Sequence, residues 1–203
     1  AREFRPWYFE EPCFVDGPSV LRLQTDNSNV SVVTPLLPRG LDSFETYSAL
    51  RTLLGRLIGN LRPRRLISWY YTPMALHFTS ELEPDRCVYD NMDELSSFAC
   101  APEGILEMEQ RLMSRCDVVY VGGRSLYDAK KDRHNNIHVF PSSVDGAHFR
   151  QAREPQIEPP DQGRIPHPRI GFFGVIDERM NLEIVRGIAA LRPDWHLVMI
   201  GPT

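Results

Sequence analysis

The sequence predicts an α/β fold with a largely parallel sheet, followed by the start of a second α/β domain. Short apolar runs rich in β-branched and aromatic residues alternate with longer stretches whose apolar residues recur at helical spacing. The last of these alternations, Arg169 to Thr203, is a complete strand–helix–strand sequence. Between it and the rest lies Pro141 to Pro168, rich in proline and poor in apolar residues.

Taken in order, Ala1-Arg2-Glu3-Phe4-Arg5-Pro6 reads as the tail of a helix entering a strand, Trp7-Tyr8-Phe9-Glu10-Glu11, so a strand and helix are expected upstream. Val20 to Gln24 and Val30 to Thr34 alternate in polarity about the turn formers Asp26-Asn27-Ser28-Asn29, which predicts a hairpin or two edge strands. Ser43 is the expected cap of a long helix whose apolar face is Phe44, Tyr47, Leu50, Leu54, Leu57, Ile58 and Leu61. A strand follows from Arg65 to Tyr71, stopped by Thr72-Pro73, and then a short helix from Met74 to Leu82. The next strand, Arg86-Cys87-Val88-Tyr89, runs straight into Asp90-Asn91-Met92-Asp93-Glu94.

An amphipathic helix is expected from Pro102, a favoured first position, through Ile105, Met108, Leu112 and Met113. It feeds a strand, Asp117 to Val121, that ends in Gly122-Gly123-Arg124-Ser125. A short helix from Ser125 to Arg133 and a strand from Ile137 to Phe140 complete the alternation. The proline-rich interval reads as an extended interdomain connection, giving a first domain over 1–152, a linker over 153–168 and a second domain beginning at 169. In that second domain Ile170 to Ile176 is expected as a strand buried on both faces. Asn181 caps the helix carrying Leu182, Val185, Ile188, Ala189 and Leu191, and Trp195 to Ile200 is the second strand. The two strands are expected to be parallel with a right-handed crossover, and more of this domain is expected beyond Thr203.

Composition narrows the function. At 203 residues there is room for one full domain and part of another. A formal charge of −4 provides no electrostatic footprint for nucleic acid, and the cluster Arg62-Pro63-Arg64-Arg65 beside a strand reads as a solvated face. No apolar run reaches membrane-spanning length and no signal-peptide pattern opens the chain, so a cytoplasmic protein is expected. Cys13, Cys87, Cys100 and Cys116 are irregularly spaced, which suggests neither a zinc site nor a disulfide framework. Reduced thiols are expected, with Cys87 and Cys116 as small buried side chains, and no bound transition metal.

In open parallel sheets ligands bind outside the carboxyl ends of the strands, so the loops there carry the functional weight. Asp90, Asp93 and Glu94 could hold a substrate hydroxyl, act as general base or bind Mg²⁺, against the plainer reading that they cap the following segment. Asp90 is the strongest of the three because it directly follows an apolar strand. Gly122, Gly123 and Ser125 offer backbone amides at a helix start, or simply a tight turn. Gly174 lets a ligand approach the backbone, with Arg179 as a diphosphate partner. The spacing of dinucleotide folds, the P-loop and the G-x-S-x-G elbow are all absent.

The ordered set Val88-Tyr89-Asp90-Asn91-Met92-Asp93-Glu94-Leu95-Ser96, Gly122-Gly123-Arg124-Ser125-Leu126, Phe140-Pro141-Ser142-Ser143-Val144-Asp145-Gly146-Ala147-His148-Phe149 and Gly171-Phe172-Phe173-Gly174 resembles bacterial glycosyltransferases of family 4. The segment from Pro141 to Phe149 is similar to their Pro-Asn-Gly-Val-Asp-x-x-x-Phe, with Ser142-Ser143 in place of Asn-Gly. The resemblance implies the GT-B architecture of two Rossmann-like domains, here the N-terminal half and the first βαβ unit of the other. It also implies transfer of a sugar, with retention, from a nucleotide-diphosphate donor to a saccharide or lipid-linked envelope acceptor at a cleft between the two domains.

By position, Asp90, Asp93 and Glu94 would face the acceptor, and Gly174 and Arg179 the donor diphosphate. No tightly bound cofactor is implied, the nucleotide sugar being a substrate; a peripheral contact with the inner face of the membrane stays open. Val175 stands where the family has Arg, and the family's distal Glu-x7-Glu and N-terminal glycine loop are not in this sequence, so turnover by this stretch alone is not expected. A non-catalytic two-domain α/β module closing on a small anionic or sugar ligand would use the same loops.

Overall fold

The computed structural model describes residues 4–25, 29–177 and 179–202. The chain divides into two compact units between Pro141 and Ser142.

The first unit opens with β1 (Trp7–Phe9), β2 (Cys13–Val15), β3 (Val20–Thr25) and β4 (Ser31–Pro38). β4 is the middle of this sheet: β3 runs antiparallel along one edge, and β1 and β2 follow one another in parallel along the other. Phe9 pairs with Val33 and Cys13 with Leu36, so Glu10-Glu11-Pro12 inserts one residue more than β4 does. That is the geometry of a bulge, and Pro12, which has no N–H to donate, falls where the pairing lapses. The hairpin expected about residues 26–29 is therefore formed by β3 and β4; residues 26–28 lie outside the described residues.

The helix α1 (Ser43–Leu61) begins one residue away from the expected cap. Asp42, not Ser43, is the N-cap: its side chain accepts from the Glu45 N–H at 2.8 Å while Glu45 accepts from the Asp42 N–H at 3.0 Å, a reciprocal capping box. Leu50 and Leu53 are the buried members of α1 and pack with Leu37 of β4, joined by Phe9, Leu21, Tyr47 and Phe78. Phe44, placed on the apolar face by the sequence, is 82% exposed. At 3.6 residues per turn it lies about half a turn round the helix from Leu53.

The rest of the unit is the parallel sheet that the alternation predicts. β5 (Ile67–Tyr70), α2 (Leu76–Thr79), β6 (Arg86–Asn91), α3 (Ile105–Arg115), β7 (Val118–Val121), α4 (Arg124–Lys130) and β8 (Ile137–Val139) follow in chain order. The strands stand side by side as β5-β6-β7-β8, all parallel. With strands added in one direction only, right-handed crossovers carry every intervening helix to the same face. On that face Ile105, Met108, Leu112 and Met113 of α3 pack on Tyr70, Cys87, Tyr89, Val119 and Val121. Ile67, Trp69 and His138, on the other face, are exposed.

Three boundaries differ from expectation. The helix after β5 is shorter, a single turn of 3₁₀ at Pro73–Ala75 leading into α2. α3 starts at Ile105 rather than Pro102, because Gly104 takes a left-handed φ of 76° and the Pro102 carbonyl closes a turn by accepting from the Ile105 N–H. β6 runs through Asp90 and Asn91 instead of stopping at Tyr89, since both pair with β7 at Tyr120 and Val121.

The second unit holds α5 (Gly146–Arg150), β9 (Arg169–Phe173), α6 (Leu182–Leu191) and β10 (His196–Ile200). Asp145 caps α5 inside the interval expected to be extended, accepting from the Ala147 and His148 N–H groups at 3.0 Å each. Asn181 caps α6 as expected, and β9 and β10 pair in parallel from Arg169–His196 to Phe173–Ile200. The burial expected of β9 on both faces is absent: Ile170, Phe172 and Phe173 are exposed, since two strands and one helix cannot enclose a strand. β9 ends at Phe173 because Gly174 adopts φ 152°. Gly201, at φ 155°, faces it so closely that an added Cβ would lie 1.7 Å from the Gly174 oxygen.

Candidate functional site

Every residue singled out in the first unit sits at the carboxyl ends of β6 and β7, the edge where open parallel sheets receive ligands. Asp90 is half-buried in the last turn of the β6 pleat, where its Oδ2 accepts a hydrogen bond from the indole Nε1–H of Trp69 on β5 at 3.2 Å. Among the described residues Oδ1 has no hydrogen-bond partner. Burial first, and then the Asp90 charge, push the Tyr71 hydroxyl above its usual value.

Asp93 is exposed, and its backbone rather than its carboxylate is engaged: its carbonyl accepts from the Asn91 amide at 2.8 Å and from the Leu95 N–H at 3.0 Å. Glu94 turns inward. Its carboxylate pairs with Lys130 Nζ at 2.9 Å and accepts from Ser96 Oγ at 2.8 Å. Partial burial works to raise its pKa, but the hydrogen bonds from Lys130 and Ser96 and the charges of Lys130 and Arg133 outweigh it and hold the carboxyl below the ordinary Glu value. Glu94 is accordingly an ionised anchor for the loop and a weak base.

Lys130 belongs to a buried network that the sequence reading did not single out. It is 2% exposed at the end of α4, with Nζ 2.7 Å and 2.9 Å from the two oxygens of Glu109 on α3. Arg133 reaches the same carboxylate at 2.7 Å, and the Tyr89 hydroxyl donates to it at 3.2 Å. Asn91 completes the chain by donating to the Tyr89 oxygen at 2.9 Å. Burial chiefly, and then Glu109, push Tyr89 far above its usual range. The available signal was Glu109 itself, which falls in the same helical stripe as Ile105, Met108, Leu112 and Met113. A carboxylate in that stripe demands a buried cation.

The glycines divide. Gly122 donates its N–H to the Asn91 carbonyl at 2.9 Å, and a Cβ there would lie 2.7 Å from the Met92 backbone oxygen. Gly122 is thus where the β6 loop and the β7 end touch backbone to backbone. Gly123 has open space around its Cα and precedes α4 with no side-chain cap, and Ser125 is exposed on the first turn. Gly122→Ala is expected to lower stability by about 2 kcal/mol or more, because the obstructing atom is backbone and cannot rotate away. Gly123→Ala should lower it by less than about 1 kcal/mol. Urea midpoints followed by circular dichroism compare the two, and equal losses would remove the steric account.

Gly174 and Arg179 lie in the second unit. The Gly174 N–H donates to the Ile200 carbonyl at 3.0 Å. Arg179 is paired with Asp177, its Nη2 at 2.6 Å from Oδ2 and its Nε at 3.0 Å from each oxygen. Hydrogen bonds from the Arg179 side chain and then its backbone hold the Asp177 carboxyl below its usual value, so the guanidinium expected for a diphosphate already carries a carboxylate partner. Among the described residues no group of three or more His, Cys, Asp or Glu is placed to hold a metal ion. No helix of the described residues is long and apolar enough to cross a membrane. No protein-family model matches the chain, and no curated protein matches it either.

Proposed function

We propose that this chain is part of a retaining glycosyltransferase of family 4 type, moving a sugar from a nucleotide diphosphate to a saccharide or lipid-linked acceptor of the cell envelope. The observation that carries the reading is Asp90, a carboxylate at the carboxyl end of an inner parallel strand, steered by an indole N–H and left with one oxygen open. The ordered segments from Val88 to Gly174 that resemble that family support it from the sequence.

In this reading Asp90 accepts the proton of the acceptor hydroxyl as that hydroxyl attacks the anomeric carbon from the same face the nucleoside diphosphate is leaving, so the glycosidic bond forms with retention. Asp93 faces the acceptor from the same loop, and Glu94, tied to Lys130, keeps that loop in place. The Gly174 turn and Arg179 belong to the donor side, where Arg179 would exchange Asp177 for the diphosphate. Gly122, Gly123 and Ser125 shape the neighbouring loop, and no resident cofactor is required. The protein would work in the cytoplasm, at the inner face of the membrane where lipid-linked acceptors are presented.

The test is turnover by the complete reading frame that contains this chain, offered uridine-, guanosine- and adenosine-diphosphate sugars with lipid-linked and soluble saccharide acceptors. Release of the nucleoside diphosphate with a matching glycosylated product is expected for at least one donor. A folded sample that neither transfers nor hydrolyses any of them removes the proposal.

A further inference from the structure

Away from the carboxyl edge, two thiols that the site does not use are held face to face. Cys87, near the start of β6, and Cys116, the residue that closes α3, are both buried, and their sulfurs are 3.0 Å apart. Backbone contacts keep them there. Asp117 grips Cys87 twice, its side chain accepting from the Cys87 N–H at 2.7 Å and its own N–H donating to the Cys87 carbonyl at 2.8 Å. Cys116 is held through its N–H, which donates to the Leu112 carbonyl at 3.0 Å, and through its carbonyl, which accepts from His134 Nε2 at 2.9 Å.

We propose that Cys87 and Cys116 are a redox modification site, closing to a reversible disulfide when the protein meets hydrogen peroxide. A disulfide needs the sulfurs at about 2.05 Å, so about 1 Å of approach suffices. The hydrogen bond from Cys116, helped by the charge of Arg115, lowers the Cys87 thiol against the opposing effect of burial, while Cys116 is pushed up. Cys87 is therefore the attacking sulfur. It loses its proton to solvent and its thiolate attacks peroxide, becoming a sulfenic acid as hydroxide departs and takes up a proton to form water. The Cys116 sulfur then displaces the sulfenic oxygen, which leaves with the Cys116 proton as a second water. Two thiols and one peroxide become one disulfide and two waters, and an added dithiol reverses the change.

The product would be a covalent ring from Cys87 to Cys116 that encloses Asp90, Asp93, Glu94 and Glu109. Burial restricts the oxidant to a small one and separates this pair from Cys13 and Cys100, both exposed and, among the described residues, without such a neighbour.

The experiment treats the 203-residue chain with hydrogen peroxide, quenches, unfolds, alkylates the remaining thiols and maps the peptides. A variant carrying Cys13→Ser and Cys100→Ser keeps only the buried pair and leaves its surroundings untouched. Both proteins are expected to lose the mass of two hydrogens before alkylation, to yield one crosslinked peptide joining Cys87 to Cys116, and to regain both thiols in dithiothreitol. Cys116→Ala should instead yield no crosslinked peptide at Cys87. The proposal is overturned if both buried cysteines of the double variant are still alkylated after unfolding, or if Cys87 goes on to sulfinic acid with no crosslink.

Discussion

Replacing Lys130 by Met is expected to destabilise the protein by about 3 kcal/mol. The side chain is 2% exposed and its nitrogen lies within 2.9 Å of both Glu109 oxygens and of Glu94. Met matches the stem in length, so little packing is lost; what is lost is the counter-charge of a carboxylate that is itself 4% exposed. Arg133 remains at 2.7 Å and keeps the effect near the lower end of what breaking a buried ion pair produces. Adding Glu109→Leu should recover at least about 1 kcal/mol, because the second change removes the stranded charge. Urea denaturation of the single and double variants measures both, and a single variant within about 0.5 kcal/mol of the parent would show that the pair is not desolvated.

The same variant has a pH signature. The Glu94 carboxyl is held below its ordinary value in the folded protein, so the native state binds fewer protons than the unfolded chain through that range. Its contribution is complete above the unfolded Glu value and fades as the pH falls through the folded value. Without Lys130, the acid side of the stability profile should be flatter.

Asp90→Asn is expected to reduce sugar transfer by the complete reading frame about 10²- to 10⁴-fold, the range of a positioned general base, while stability changes by less than about 1 kcal/mol. The amide oxygen can still accept from Trp69 Nε1, so the indole keeps its partner at the 3.2 Å contact. What disappears is the capacity to take a proton at the open oxygen. Asp93→Asn, whose engaged group is the backbone carbonyl, should leave folding unchanged. If Asp90→Asn unfolds the protein while the folded fraction keeps its specific activity, Asp90 is a structural residue and the acceptor chemistry lies elsewhere.

The elements were legible because each is written locally. Alternation in Val20 to Gln24, helical spacing in Ser43 to Leu61 and short apolar runs at Val118 and Ile137 depend only on near neighbours, and the corresponding elements formed at or near those positions. Boundaries moved where a neighbouring strand or turn had the last word: β6 gained Asp90 and Asn91 because Tyr120 and Val121 lie alongside to pair with them. The cap moved from Ser43 to Asp42 because Glu45 could return the hydrogen bond.

By itself, then, the sequence determined an α/β chain with a parallel sheet, two reliable helix caps within a residue, and a carboxylate at a strand's exit, all readable from spacings of a few positions. Tertiary structure alone decided which charges are buried together, why Gly122 must lack a side chain, and that Cys87 meets Cys116. Those facts join residues tens of positions apart, and their energies arise from desolvation and contact, which exist only once α3, β6 and β7 are packed against one another.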